Sequence, residues 1–176
     1  FAILNSSSLR HNQAHLSISM LNFSLSIRPF LLVGLGGSGG KTLRFVKRDL
    51  QKRLRAVGWN DGIPEGWQFL HIDTPTIADG QELNDIVAPL DNDEYVGLVG
   101  DGVTFRDVAN QLDATPSLAS DLVGWRIDPA DLRVPIGVGA GQFRAVGRTV
   151  AMVHGREIRN RIRNSFDRIS SPGSYA

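Results

Sequence analysis

The sequence lacks cysteine, and this absence excludes disulfides, thiolate nucleophiles and cysteine-ligated zinc sites. It also lacks a strong charge of either sign, because the formal net charge of +1 gives no overall attraction to nucleic acid or to an anionic membrane. No hydrophobic run reaches the roughly 20 apolar residues of a membrane-spanning helix, since polar residues and a proline interrupt the most apolar early stretch, residues 18–30. The chain begins with Phe1, and that stretch has no compact small-residue cleavage signature. We therefore expect a cytoplasmic protein without a secretory signal.

The length and composition favour one soluble domain, because 176 residues can form a single core without disulfides or a structural metal. Residues 1–28 are rich in Ser, Asn and His without periodicity, and we expect a flexible leader there. A nucleotide-binding domain is expected over residues 29–168, and a polar tail over residues 169–176. An α/β domain that begins in this way is expected to have another strand at the position of this tail. We therefore expect the domain to be incomplete.

The pattern after the leader predicts a β-loop-α-β unit. A short continuous apolar run, residues 30–33, is typical of a strand buried on both faces, and a glycine cluster ends it. Apolar residues then recur at steps of three and four from Leu43 to Val57, which predicts an amphipathic helix with a strongly basic opposite face. After a turn-rich connector, residues 67–72 are predicted to form a second strand that ends at Asp73. A right-handed crossover would make the two strands parallel and place both following loops at one edge of the sheet.

The remaining elements have weaker patterns. Residues 77–89 are predicted to form a short helix and residues 95–99 a minor strand. Two prolines interrupt residues 107–132, where we expect an irregular insertion with short helices. Apolar residues at roughly helical intervals over residues 146–162 predict a further helix, which Gly155 is expected to split.

The glycine-rich segment 34–42, with the sequence G-L-G-G-S-G-G-K-T, lies between the first predicted strand and its helix. Glycines let the backbone turn sharply and approach a ligand closely, and a helix N-terminus offers N–H groups to phosphate. We interpret the segment as a phosphate-binding loop. The alternative is a tight turn that serves close packing of the helix on the sheet.

Spacing distinguishes the known kinds of phosphate loop. A Walker loop requires glycine at the position of Leu35, so this pattern fails and Lys41 is not expected to act as a Walker lysine. Three glycines match G-x-G-x-x-G, but the acidic residue expected about 20 positions later is late, because Asp73 lies well beyond that distance. A Rossmann-type dinucleotide-binding module of an oxidoreductase therefore stays open as an alternative.

A second glycine-rich segment, residues 137–148, has the sequence G-V-G-A-G-Q-F-R-A-V-G-R and resembles the third nucleotide-facing loop of the tubulin/FtsZ superfamily. In the bacterial division proteins of that family the loop is approximately G-L-G-A-G followed, after three residues, by E-V-G-R. The Gly, Ala, Val, Gly and Arg positions coincide, whereas Gln142, Arg144 and Ala145 depart from it. This variant is similar to the large, divergent bacterial tubulin-like proteins, whose first loop also resembles G-L-G-G-x-G-G. Residues 70–74, L-H-I-D-T, resemble the family's second loop, in which an acidic residue ends a strand near the phosphates and magnesium.

The resemblance covers about residues 29–160 and implies an α/β fold, an incomplete Rossmann-like parallel sheet of a tubulin-type GTPase domain. It implies GTP with Mg²⁺ as the ligand, and self-association or a missing downstream domain as the partner. The family's G-G-G-T-G-[ST]-G loop, its base contacts and its acidic hydrolysis loop are not found in this chain, so we expect no GTP hydrolysis by this chain alone. The nucleotide-binding residues that the resemblance implies are Gly34, Gly36, Gly37, Ser38, Gly39, Asp73, Gly139, Ala140, Gly141 and Gln142.

Other candidate sites have ordinary explanations. Basic residues cluster on the first predicted helix and again over residues 156–168, but the near-neutral charge and the lack of interleaved aromatics favour solvated helix faces over nucleic-acid binding. The four histidines have no metal-ligand spacing with one another or with carboxylates, so no protein-only metal site is expected. No pair of carboxylates and no Ser with a His partner indicates a catalytic centre. A non-catalytic interaction domain with structural glycine loops is the remaining alternative.

Overall fold

The computed structural model describes residues 28–130, 132, 135–141 and 143–170. Within these residues the chain is an α/β structure of three strands and five α-helices, joined by short 3-10 turns at Gln81–Leu83, Asn92–Glu94 and Ile136–Val138. The strands are β1 (Phe30–Leu35), β2 (Trp67–Asp73) and β3 (Tyr95–Gly97), and the helices are α1 (Gly36–Ala56), α2 (Phe105–Asp113), α3 (Pro116–Asp121), α4 (Arg144–Val153) and α5 (Gly155–Ile169).

The sheet is parallel, with the strands in the order β1-β2-β3. Leu35 at the end of β1 lies opposite Ile72, and Asp73 at the end of β2 lies opposite Gly97. All three strands therefore end at the same edge, and the predicted β-loop-α-β unit with parallel strands is confirmed. This edge positions the candidate site, because the loops after β1 and β2 both start there.

The central strand β2 is covered on both faces, as its nearly continuous apolar sequence requires. Phe69 and His71 lie on the face that α1 covers, whereas Leu70 and Ile72 point to the opposite face. There they join a core with α2, α4 and α5, in which Leu70 is 1% exposed. Burial of each such aliphatic side chain stabilises the fold by about 1.5–3 kcal/mol.

Two helical predictions need correction. Residues 77–89 do not form a helix, because they contain only the 3-10 turn Gln81–Leu83. The carbonyls of Val87 and Ala88 instead accept hydrogen bonds from the side chain of Arg44 in α1. These backbone groups are thus satisfied by a tertiary contact and not by hydrogen bonds within a helix. Val57 does not extend the apolar face of α1, since the helix ends at Ala56 and Val57 is 66% exposed.

The other predicted elements agree more closely with the structure. The insertion contains the short helices α2 and α3, as expected, and the final helix is interrupted between Val153 and Gly155. The minor strand is present but shorter than expected, ending at Gly97. Of the expected leader and tail, the structure describes only Arg28 and residues 169–170, and the remainder lies outside the described residues. Across the described part of the chain, no helix combines the length and apolar character needed to cross a bilayer.

Candidate functional site

The turn from β1 into α1 is held by two glycines in direct contact. A Cβ atom added to Gly34 would lie 2.6 Å from the carbonyl oxygen of Gly39 and 2.8 Å from Cδ1 of Leu43. A Cβ added to Gly39 would in turn lie 2.9 Å from the carbonyl carbon of Gly34. All three distances are shorter than real Cβ contacts, so close packing of the helix on the strand is by itself a reason for glycine at both positions.

The next residues of the turn, Gly36 and Ser38, have free space beside them. Gly36 has φ of 68°, a left-handed conformation that favours glycine, and an added Cβ would have no neighbour within 4 Å. Ser38 is exposed. The N-terminus of α1 has no side-chain cap and no acidic residue in its first turn, whereas Thr104 and Asp107 form a capping box at the start of α2. The first N–H groups of α1 and the positive end of its dipole are thus left without a capping side chain, which is the environment that a phosphate group requires.

A carboxylate borders this turn on one side. A Cβ added to Gly37 would lie 2.7 Å from Oδ2 of Asp79, which comes from the β2–β3 connection. Lys41 is shared between this carboxylate and a second one, because its Nζ lies 3.3 Å from Oδ2 of Asp79 and 2.8 Å from Oε1 of Glu82. The hydrogen bond to Glu82 and then that to Asp79 raise the pKa of Lys41. Lys41 is therefore engaged with carboxylates, and the expectation that it is not a Walker lysine stays a prediction.

Asp73 lies at the carboxyl end of β2, next to the glycine turn. Its side chain is 11% exposed; Oδ1 accepts a hydrogen bond from the backbone N–H of Thr74 at 2.7 Å, and Oδ2 lies 3.6 Å from Nε2 of His71. The same Nε2 lies 3.0 Å from the carbonyl oxygen of Gly36. The structure thus brings Asp73 and the first glycine turn together through His71, while the role of Asp73 as a nucleotide ligand stays a prediction.

Sequence analysis did not identify three polar residues at this edge. His71 is 2% exposed, and its ring centroid lies 5.0 Å from that of Tyr95. Burial, and then the charges of Asp73 and Asp79, raise the pKa of Tyr95, whose hydroxyl donates to a backbone carbonyl. Thr74 is 5% exposed, and its hydroxyl is the buried side-chain polar atom that has no hydrogen-bond partner among the described residues. The sequence signals for His71 and Thr74 were their places in the L-H-I-D-T segment, in which the resemblance singled out only the acidic residue.

The second glycine loop lies before α4 and is anchored by Ile136, which is 1% exposed. Gly139 and Gly141 have φ of 129° and 58°, and Cβ of Ala140 lies 3.7 Å from the position of an added Cβ on Gly147 in α4. These contacts run to the core and to α4, so approach of this loop to the first glycine turn stays a prediction. The N-terminus of α4, like that of α1, has no side-chain cap and no acidic residue in its first turn. Gln142 lies outside the described residues.

The basic face of α1 is solvated as expected only near the C-terminal end of the helix, where Lys52, Arg53 and Arg55 are exposed. Nearer the N-terminus, three cations at successive turns bind the β2–β3 connection. Lys41 pairs as described above, and Arg44, which is 5% exposed, donates four hydrogen bonds to residues 80–88. Lys47 lies 2.7 Å from Asp91 and 2.6 Å from Glu94. Burial opposes the charge of Lys47, but hydrogen bonds to both carboxylates raise its pKa overall. Their intramolecular partners explain these cations without nucleic acid.

A cavity of about 310 Å³ lies beside the turn, between α1 and the β2–β3 connection. Its charged lining includes the carboxylates of Asp79 and Asp91 and the guanidinium of Arg44, which already donates to four protein acceptors. Asp79 and Asp91 are themselves paired with Lys41 and Lys47, so these three charged groups of the lining all have partners within the protein. No group of His, Asp or Glu that could hold a metal ion by itself is found in the described part of the chain.

Comparison with protein families shows that the model of a family described as tubulin-like matches residues 31–176. Neither the curated proteins nor the solved structures gave a match to the chain. The matched segment begins in β1 and includes both glycine loops and Asp73. It therefore contains all the segments that carry the resemblance described above.

Proposed function

Since the chain belongs to the tubulin-like family, we propose that it binds the phosphates of GTP at the N-terminus of α1. The observation that carries this proposal is the open turn at Gly36 and Ser38, which has neither a side-chain cap nor an acidic residue of the helix itself. Asp79 borders the turn, and Lys41, which also pairs with Glu82, offsets part of its charge. A dipolar N-terminus with unsatisfied N–H groups binds phosphate in many nucleotide-binding folds, so the local chemistry agrees with the family.

The residues of the turn have separate roles in this proposal. Gly34 and Gly39 allow α1 to approach β1, while Gly36, Gly37 and Ser38 contact the phosphates. Asp73 and the loop of residues 139–142 would complete the site. Magnesium, which neutralises phosphate charge, would arrive with GTP, and Asp73 is the carboxylate that would face it in this proposal.

Preference for guanine and association with a second copy of the chain are also proposals that rest on the family. The proposed residues would contact phosphate, which GTP and ATP share, so the site described here does not by itself distinguish the two bases. Association would be tested by sedimentation velocity of the chain with and without GTP. A larger species that forms with nucleotide would support it, and an unchanged monomer at all concentrations would contradict it.

The dinucleotide-binding alternative has one observation in its favour. Asp73 stands at the carboxyl end of β2, where a Rossmann-type module places the acidic residue that binds ribose. Oδ1 of Asp73, however, already accepts the N–H of Thr74, and the family match favours GTP.

Calorimetric titration of the chain with GTP, ATP and NAD, each with magnesium, separates these functions. We expect saturable binding of GTP that is at least about tenfold tighter than that of NAD, a difference of about 1.4 kcal/mol. The ratio of the GTP and ATP affinities tests the guanine preference, which rests on the family alone. Tighter binding of NAD would support the dinucleotide module. Absence of binding by all three ligands would contradict both nucleotide proposals and favour an interaction domain.

A further inference from the structure

We propose that His71 is a positioning residue that holds the first glycine turn in its phosphate-binding conformation; this inference rests on the proposed function. His71 is 2% exposed and lies on the face of β2 that α1 covers. Its Nε2 lies 3.0 Å from the carbonyl oxygen of Gly36. A carbonyl can only accept, so Nε2 carries the proton and donates it to the first residue of α1.

The imidazole also supports the end of the turn by direct packing. A Cβ added to Gly40 would lie 2.1 Å from Cε1 of His71, so the ring fills the space directly beneath the helix backbone. One side chain thus touches the turn at both ends, through a hydrogen bond at Gly36 and through packing at Gly40. This contact explains why glycine is needed at position 40, where alanine would be the better helix former.

A turn of this composition needs such support. Glycine has the largest backbone freedom of all residues, and four of the five residues from 36 to 40 are glycine. A ligand that binds a flexible turn must order it, and the cost of that ordering lowers affinity. His71 reduces this cost by restraining the carbonyl of Gly36 before the ligand arrives. It also links the turn to Asp73, whose Oδ2 lies 3.6 Å from the same nitrogen.

Three variants of the full chain test the proposal. His71→Leu removes the donor but keeps an apolar side chain, His71→Gln keeps an N–H donor at a similar reach, and Phe69→Leu is the matched control. Phe69 is buried on the same face of β2 but two residues earlier, away from the turn. Hydrogen exchange of the amides of residues 36–40 is measured without nucleotide, and the dissociation constant for GTP is measured separately.

We expect His71→Leu to accelerate exchange in the turn and to weaken GTP binding about five- to tenfold, which is the effect of losing one hydrogen bond that orders the site. His71→Gln should restore most of both properties. Phe69→Leu should lower global stability without a selective effect on the turn. Gly40→Ala probes the contact from the helix side and should also accelerate exchange, although alanine favours helices.

The two proposals fail in different ways. If the wild-type chain binds no GTP, the proposed function fails, whereas accelerated exchange in His71→Leu would still support the positioning role. Unchanged exchange in His71→Leu would overturn that role whatever the chain binds. It would also be overturned if His71→Gln behaved like His71→Leu, because the hydrogen bond would then be irrelevant. Should His71→Leu not fold, Gly40→Ala and His71→Gln decide the question by the same exchange measurement.

Discussion

Replacing Arg44 by methionine should release the β2–β3 connection from α1. The guanidinium of Arg44 donates to three backbone carbonyls and one side-chain amide oxygen, those of Gly80, Val87, Ala88 and Asn84. Each hydrogen bond contributes a net of about 1 kcal/mol to the free energy of unfolding, so the four together contribute about 4 kcal/mol. Methionine keeps the packing of the aliphatic stem, so we expect a loss of about 2–4 kcal/mol in the free energy of unfolding.

Urea denaturation followed by circular dichroism measures this loss, and an unchanged m-value would show that the denatured state is unaffected. Arg48→Met is the matched control, because Arg48 lies one turn further along the same helix but makes a surface ion pair with Asp49 and a cation–π contact with Phe45. We expect the control to lose about 1 kcal/mol or less. If Arg44→Met loses no more than Arg48→Met, the carbonyl contacts do not stabilise the connection and the reasoning is refuted.

Two further predictions concern charged residues. Asp93→Asn should lower the free energy of unfolding at neutral pH by up to about 1 kcal/mol, a value already reduced for solvent screening of this partly exposed group. The hydrogen bond from Arg168 holds the pKa of Asp93 below its ordinary 3.8, so this stability is present above that value and is lost as the pH falls through the lower folded-state pKa. Urea midpoints of the two chains should therefore converge in acid, and a constant difference at every pH would contradict this cause. Lys41→Ala should weaken GTP binding less than Gly36→Val does, because Lys41 is engaged with carboxylates, and calorimetric affinities in the reverse order would indicate a Walker-type loop.

The sequence was sufficient to predict the front of the fold. A short continuous apolar run favours a strand, and steps of three and four starting at Leu43 favour one face of a helix, so the existence of β1, α1 and β2 followed from local patterns. The expectation that β1 is buried on both faces was wrong, because β1 lies at the edge of the described sheet and Val33 is 43% exposed. The parallel arrangement of the strands followed from the handedness of crossovers, which is nearly invariant. Helix α1 nevertheless ends before Val57, where the chain turns at Gly58 with φ of 89°.

The packing of the β2–β3 connection could not be predicted. A helical pattern predicts that Arg44 and Lys47 face solvent. In the structure, residues 79–94 cross α1, and the two side chains bind this segment through hydrogen bonds and ion pairs. For the same reason, residues 77–89 had a helical apolar pattern but no helix. Their backbone groups are satisfied by a distant arginine, and no local sequence rule reports such a contact.

The candidate site was predicted in part. The glycine segment and Asp73 do meet at one edge of the sheet, but the sequence could not separate glycines that serve packing from those that leave space for a ligand. Gly34 and Gly39 belong to the first kind and Gly36 to the second, and this distinction depends on distances across the turn. His71 was also missed as part of the site, because its function depends on the carbonyl that lies above it.

The most direct test of phosphate binding at α1 uses Ser38→Asp, with Ser38→Asn as the neutral control of similar size. A carboxylate in the first turn favours the helix dipole by about 0.3–1 kcal/mol, so the nucleotide-free protein should be as stable as the wild type or slightly more stable. The same carboxylate would repel a phosphate bound a few ångströms away by about 1–3 kcal/mol, which is roughly five- to hundredfold in affinity. Unfolding without nucleotide and GTP affinity are measured on the same preparations. The proposal predicts that Ser38→Asp keeps or gains stability while losing GTP affinity, and that Ser38→Asn keeps its stability and loses much less affinity than Ser38→Asp. Ser38→Asp protein that binds GTP as tightly as the wild type would contradict phosphate binding at the N-terminus of α1.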